Sequence, residues 1–158
     1  MSQRLKYLGY SIVFQEVPDE TSLVINISGC PHHCEGCHSK YLWEYEGNYI
    51  SENIESLIEQ YDGYITCVCF MGGDQNLEEL NELCRTVHDY GLKCCLYSGS
   101  DTLKLDGVPF FDYVKLGSYQ QERGGLDSDN TNQKMYRREP NSRHYTDITH
   151  YFQTTQKG

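Results

Sequence analysis

The sequence LVINISGCPHHCEGCH, residues 23–38, joins an apolar run to a short loop that is rich in cysteine. The run Leu23 to Ile27 is largely β-branched and is closed by a Ser-Gly pair, a pattern that predicts a buried strand. The loop that follows carries Cys30, Cys34 and Cys37 in the spacing C-x3-C-x2-C. Such spacing allows one tight loop to turn three thiolates toward a common centre. The stretch therefore predicts a metal-binding loop at the C-terminal end of a strand.

Two metal chemistries fit these ligands. An iron–sulfur cube held by four cysteines has every iron occupied by protein, whereas three cysteines leave one iron open to a substrate. The same three cysteines with His38 could instead form a Cys3His zinc site. Spacing alone does not decide between them. We take the cluster as the working hypothesis because, unlike zinc, it also accounts for a second motif at the same edge of the predicted sheet.

The chain as far as residue 117 alternates predicted strands and helices. Apolar residues at helical spacing predict one helix from an N-cap at Ser51 to about Asp62, and another from Leu77 to a C-cap at Gly91. The further predicted strands are Tyr64–Phe70, Lys93–Tyr97 and Tyr113–Leu116. This alternation predicts an α/β fold with a parallel sheet and right-handed crossovers. All four strands end in glycine-containing loops, which would share the edge where α/β folds bind ligands.

The second motif is Gly72-Gly73-Asp74, directly after the second of these strands. Two consecutive glycines let a ligand approach the backbone closely and can adopt a positive φ. With the Asp74 carboxylate, they suit the zwitterionic head group of an amino acid. The alternative is a tight turn with Asp74 as the N-cap of the next helix. Proximity to the cysteine loop favours the ligand site.

Taken together, the C-x3-C-x2-C loop and the GGD motif resemble the radical S-adenosylmethionine enzymes. Within that superfamily, two stretches are similar in sequence to the activating proteins of anaerobic, glycyl-radical ribonucleoside-triphosphate reductases. They are the residues of the cysteine loop and the late run from Gly124 to Tyr136. The resemblance covers about residues 10–138 and implies a small, partial (open) parallel β/α barrel of the radical SAM type. Gln75 departs from it, since members usually have proline there.

The resemblance also implies cofactors, site residues and partners. It implies a 4Fe-4S cluster on Cys30, Cys34 and Cys37, with S-adenosylmethionine bound to the fourth iron and no catalytic residue beyond the cluster ligands. The residues implied to contact S-adenosylmethionine are Gly36, His38, Gly72, Gly73, Asp74, Ser98 and Lys115. The implied activity is reductive cleavage of S-adenosylmethionine, which generates a glycyl radical on the large subunit of the reductase. A small electron-transfer protein such as flavodoxin would supply the electron.

The other five cysteines, Cys67, Cys69, Cys84, Cys94 and Cys95, lie in predicted strands or on an apolar helical face. Free cysteine behaves as a small buried hydrophobe, so we expect these residues to pack in the core rather than to bind a second cluster. Two rival functions stay open. One is another short radical enzyme acting on a small molecule, and the other is a zinc-stabilised binding domain.

Length and charge limit the remaining possibilities. The 158 residues predict one domain, with a core over about residues 10–120 and a late loop and tail, 120–158, for partner contact. A formal net charge of −10 disfavours a nucleic-acid surface. Neither a signal peptide nor an apolar run long enough to span a membrane is evident, so we expect a cytoplasmic protein. The late cluster Lys134, Arg137, Arg138 and Arg143 predicts a solvated face or a docking surface for an acidic partner.

Overall fold

The computed structural model describes residues 4–14, 20–29, 44–73, 75–117, 123, 126, 128 and 131–150. Several residues of the predicted site therefore lie outside the described residues: Cys30, Cys34, Gly36, Cys37, His38 and Asp74. Most of the late run from Gly124 to Asn130 lies outside them as well. The edge of the sheet that these segments join lies within the described residues.

The described chain forms a mixed α/β fold, which confirms the predicted class. Eight strands make one sheet in the order β3-β1-β2-β4-β5-β6-β7-β8. In chain order the elements are β1 Lys6–Val13, β2 Ser22–Ile27, β3 Asn48–Tyr49, α1 Ile50–Gln60, β4 Cys67–Met71, α2 Leu77–Asp89, β5 Lys93–Tyr97, a 3-10 turn Leu105–Gly107, β6 Tyr113–Leu116, β7 Lys134–Arg138 and β8 Tyr145–Asp147.

The expectation of a parallel sheet holds only for the four central strands. β2, β4, β5 and β6 are parallel neighbours, but the other four of the seven pairings are antiparallel. The difference arises from the connections, because parallel neighbours need a long crossover whereas antiparallel neighbours can be joined by a short link. β7 and β8, for example, are joined by a short turn in which the Glu139 amide donates to the His144 carbonyl at 2.8 Å. The described residues form a mixed sheet and do not show the expected partial barrel.

The helix starts differ from those predicted. α1 begins at Ile50 after Tyr49, and no side chain caps it. The predicted cap, Ser51, instead accepts a hydrogen bond from the Arg4 guanidinium at 2.9 Å. α2 is capped by Asn76, whose Oδ1 accepts from the Glu79 amide at 3.1 Å. The N-cap role that the turn interpretation gave to Asp74 thus belongs to Asn76.

The two faces of the sheet carry different apolar clusters. Both helices pack on one face, where alternate strand residues such as Ile25, Phe70 and Leu96 are fully buried. The opposite face holds a smaller cluster built from Val24, Cys67, Cys69, Cys95, Tyr113, Met135 and Ile148. We call this second side the open face, because neither helix covers it. No helix in the described part of the chain is long and apolar enough to cross a membrane.

The expectation that the remaining cysteines are core residues is confirmed. Cys67, Cys69, Cys94 and Cys95 are 0% exposed and Cys84 is 1% exposed. Burial raises the pKa of the thiols of Cys67, Cys94 and Cys95, since a thiolate would lose its hydration there. These three thiols are therefore protonated at neutral pH, and a protonated thiol is a poor nucleophile and metal ligand.

Thiol titration tests this division of the eight cysteines. In the folded protein stripped of iron, we expect rapid reaction with an aromatic disulfide at pH 8 only at Cys30, Cys34 and Cys37. All eight should react in guanidinium. Cys34→Ala should lower the rapid count by one, whereas Cys95→Ala should leave it unchanged. Rapid reaction at more than the three loop thiols would contradict the assignment.

Candidate functional site

The two ends of the cysteine loop are held together at the C-terminal end of β2. The Gly29 amide donates to the Glu44 carbonyl at 3.0 Å. The Ser28 hydroxyl donates to the Glu46 carbonyl at 2.5 Å and accepts from the Glu46 amide at 3.1 Å. Ser28 is fully buried, so these bonds are shielded from water. The residues that flank the segment 30–43 therefore meet at one point on the carboxyl edge of the sheet.

The glycine loop lies at the same edge, one strand away. Gly72 and Gly73 have φ values of +99° and +97°, which residues with a Cβ rarely adopt. A Cβ at Gly73 would lie 2.7 Å from Ile27 Cδ1 and 3.0 Å from Leu80 Cδ2, whereas one at Gly72 would meet no atom closer than 3.7 Å. The side of Gly73 that could carry a side chain thus faces the packed interior.

The backbone groups of this loop are partly occupied. The Gly72 amide donates to the Tyr97 carbonyl at 2.7 Å, and the Gly73 carbonyl accepts from the Asn76 amide at 3.0 Å. Among the described residues, none hydrogen-bonds to the Gly72 carbonyl or to the Gly73 amide. This pair supplies one acceptor and one donor, the complement that an amino-acid head group requires.

A direct contact connects the two loops. Gln75 Nε2 donates to the Ser28 carbonyl at 3.2 Å. Its Oε1 is buried, and no described residue donates to it. Because a buried amide oxygen without a donor is costly, this atom is suited to accept from a group bound between the loops. Proline, which the resemblance leads one to expect here, could make neither contact.

A row of half-buried side chains crosses the open face at the same level. The strand register aligns Asn26, Met71, Tyr97 and Lys115 on four adjacent strands. The ammonium group of Lys115 donates to the Gly117 carbonyl at 3.4 Å and lies 5.5 Å from the centre of the Tyr97 ring. The row therefore offers an amide, a thioether, a phenol and a cation beside the two loops.

The predicted site residues that the structure describes lie at this edge. Gly72 and Gly73 follow β4, and Lys115 is the next-to-last residue of β6. Ser98 follows β5 but is fully buried, and its hydroxyl accepts from the Ser100 amide at 3.0 Å, so it holds the turn after β5. Sequence reasoning missed Ser28, Asn26, Gln75 and Tyr97. Of these four, only Asn26 and Tyr97 could have been placed from the sequence. Side chains alternate between the two faces of a strand, so their positions along the strands put both on the same face of the sheet.

The described residues offer no alternative set of metal ligands to the three cysteines of the loop. In the parts of the chain that the structure describes, no three His, Cys, Asp or Glu side chains converge to hold a metal ion. Three thiolates on a loop closed at its base fit an iron–sulfur cluster, for which cysteine thiolate is the usual ligand. The fold and the loop are thus those of an iron–sulfur protein.

Comparison with known proteins defines this class further. The model of a family described as a 4Fe-4S single cluster domain matches residues 21–119, more than half of the chain. The chain therefore belongs to this family. The match includes the cysteine loop, the glycine loop and Lys115, and it favours iron–sulfur over the Cys3His zinc site. No curated protein and no solved structure matches the chain.

The unequal surroundings of the two glycines predict unequal costs of substitution. Gly72→Ala should lower the free energy of unfolding by about 1 kcal/mol, from backbone strain alone. Gly73→Ala should cost about 3 kcal/mol, because its Cβ would also overpack Ile27 and Leu80. Urea denaturation of the two variants measures both values. Equal losses would show that Gly73 does not face the interior as described.

Proposed function

We propose that this protein is a radical S-adenosylmethionine activase that generates the glycyl radical of an anaerobic ribonucleoside-triphosphate reductase. One observation supports it above others: the ends of the loop with three cysteines meet at the same sheet edge as the glycine loop, where the Gly72 carbonyl and the Gly73 amide bond to no described residue. The chain's family supplies a single 4Fe-4S cluster. A cluster with one iron not held by cysteine needs a further ligand, and an amino-acid head group placed by the glycine loop provides it.

Cys30, Cys34 and Cys37 would hold the cluster, which when bound and reduced would supply the one electron needed to cleave the C5′–S bond of S-adenosylmethionine. The products would be methionine and, after hydrogen transfer from a glycine Cα of the reductase, 5′-deoxyadenosine and the glycyl radical. The electron comes from a small, low-potential electron-transfer protein such as flavodoxin. The large subunit of the reductase is the partner that presents the glycine.

The residues of this chain bind S-adenosylmethionine and orient it. The Gly72 carbonyl accepts from the methionyl ammonium, and the Gly73 amide donates to the methionyl carboxylate. Lys115, a half-buried cation in the row on the open face, adds charge complementary to that carboxylate. Gly36 and His38 contact the adenine, and Asp74 binds the ammonium with Gly72. The open face receives the nucleoside, because the helices cover the other face of the sheet.

The radical SAM barrel belongs to the same proposal. The parallel strands β2, β4, β5 and β6, with both helices on one face, are the part of such a barrel that the described residues resemble. The alternative within the superfamily is another short radical enzyme acting on a small molecule. The late run Gly124 to Tyr136 disfavours it, since that run is similar to the reductase activases.

Gln75→Leu tests whether contact between the loops places the ligand. Losing one hydrogen bond to a bound group, about 1 kcal/mol, should raise the Kd of S-adenosylmethionine about fivefold. Iron content should not change, because Gln75 is not a cluster ligand. Gln60→Leu, on the exposed side of α1, is the matched control and should leave the Kd unchanged. An unaltered Kd in Gln75→Leu, with normal iron, would rule out this positioning role.

The reaction itself is tested by 5′-deoxyadenosine formation. We expect product when the anaerobically reconstituted protein is given dithionite, S-adenosylmethionine and the reductase, together with a glycyl radical signal in the electron paramagnetic resonance spectrum of the reductase. Cys34→Ala should give neither, because it removes a cluster ligand.

Other outcomes separate the alternatives. Product without any radical on the reductase would support a small-molecule substrate. A colourless protein with one stoichiometric zinc and no product would return the assignment to a zinc-stabilised binding domain. A brown, cluster-loaded protein that forms no product even with the reductase would refute the activase proposal.

A further inference from the structure

The sheet edge opposite the candidate site carries a second concave surface. The C-terminal half of α2, the loop before β6 and the end of β7 enclose a cavity of about 340 Å³. It is lined by Asn81, Arg85, His88, Pro109, Phe110 and Arg138. None of these six residues is acidic, although the whole chain carries a net charge of −10. We call it the Arg85 cavity.

Two side chains of this cavity, Arg138 and His88, are held in place by Asp112. Arg138 donates to Asp112 Oδ1 at 3.1 Å, and His88 Nε2 lies 2.8 Å from Asp112 Oδ2. Arg138 also donates to the carbonyls of Phe111 and Ser142, at 3.2 and 3.0 Å. Asp112 thus offsets the charge of Arg138, and both Arg138 and His88 are fixed before any ligand arrives. Preorganised donors of this kind lose little freedom on binding a ligand.

The mouth of the cavity combines an aromatic ring with two further guanidinium groups. Phe110 is 48% exposed, which is high for a phenylalanine. The guanidinium of Arg143 lies 5.3 Å from the centre of its ring. Arg85 is exposed on α2 at the other side. An exposed aromatic face beside several arginines is the arrangement that stacks a base and binds phosphate.

A second cavity lies next to the Arg85 cavity and differs from it in the charges of its lining. It also measures about 340 Å³ and lies on the far side of Arg138, lined by Lys93, Asp112, Tyr113, Arg137, Arg138, Glu139 and Pro140. Its lining includes two carboxylates, Asp112 and Glu139, of which Asp112 also pairs with Arg138 of the Arg85 cavity. The lining of the Arg85 cavity itself contains no acid. On α2, Glu82 and Asp89 lie three and four residues from Arg85, so they are exposed on the same side of the helix as Arg85.

We propose that the Arg85 cavity binds a nucleoside polyphosphate, with the phosphates near Arg85, His88 and Arg143 and the base against Phe110. The volume suits a small molecule rather than a protein segment, since ligand pockets start at about 300 Å³. The site differs from that of S-adenosylmethionine, because it lies at the amino ends of β5 and β6 whereas the glycine loop lies at the carboxyl edge. The inference does not depend on the proposed function.

Calorimetric titration of the anaerobically purified protein with ATP tests it, with S-adenosylmethionine kept saturating so that the adenosine site at the carboxyl edge is filled. We expect saturable binding of one ATP. Arg85→Gln should weaken it about tenfold through loss of a charged contact. Phe110→Ala should weaken it about fivefold or more through loss of stacking. Arg137→Gln, in the neighbouring cavity, is the matched control and should change the Kd about twofold at most, because exposed charges are screened.

Two further ligands define what is recognised. Tripolyphosphate should bind more weakly than ATP and be insensitive to Phe110→Ala, while remaining sensitive to Arg85→Gln. A polyglutamate peptide that binds when ATP does not would overturn the proposal in favour of an acidic protein partner. Absence of ATP binding under saturating S-adenosylmethionine, or binding unaffected by both Arg85→Gln and Phe110→Ala, would also overturn it. Formation of 5′-deoxyadenosine is measured separately, so either proposal can fail without the other.

Discussion

The geometry of the candidate site depends on the buried hydroxyl of Ser28. It donates to the Glu46 carbonyl and accepts from the Glu46 amide, so one side chain joins the segment leaving β2 to the segment returning toward β3. The Gly29 amide and the Glu44 carbonyl add a second closure beside it. A loop anchored at both ends has far fewer conformations than a free one, so the entropic cost of gathering its thiolates is smaller. The segment that carries the three cysteines thereby has both of its described ends at one point on the sheet.

The parallel centre of the sheet determines what lies beside that point. Because β2 and β4 run in the same direction and pair directly, their following loops emerge side by side, and Gln75 can connect them. β5 and β6 extend the same edge and bring Tyr97 and Lys115 to it. The antiparallel strands lie at both ends of the sheet, and the segment before one of them, β3, supplies Glu46 to close the cysteine loop. They widen the sheet and, through Met135, cover part of the open face.

Much of the fold could be predicted from local sequence patterns. Contacts between residues that are far apart in the sequence could not. Lys93–Tyr97 and Tyr113–Leu116 match their predicted bounds, because short apolar runs between glycines leave few other choices. β7 escaped prediction because, of Lys134 to Arg138, only Met135 is buried while its neighbours are polar. The glycine loop was placed correctly from its sequence. The roles of Ser28 and Gln75 depend on partners 18 and 47 residues away, and no single-sequence pattern reports such distances.

The burial of the five structural thiols bears on how the protein would withstand oxidation. Oxidants attack exposed thiolates first, and the five cysteines of the described strands and helix are all buried. The core cysteines are protonated or shielded, and the closure at Ser28 is made by backbone and hydroxyl groups that need no metal. Oxidative loss of the cluster should therefore leave the scaffold assembled. Damage of this kind is repairable, because iron and sulfide can be rebuilt onto a loop whose ends are already in place, without refolding the chain.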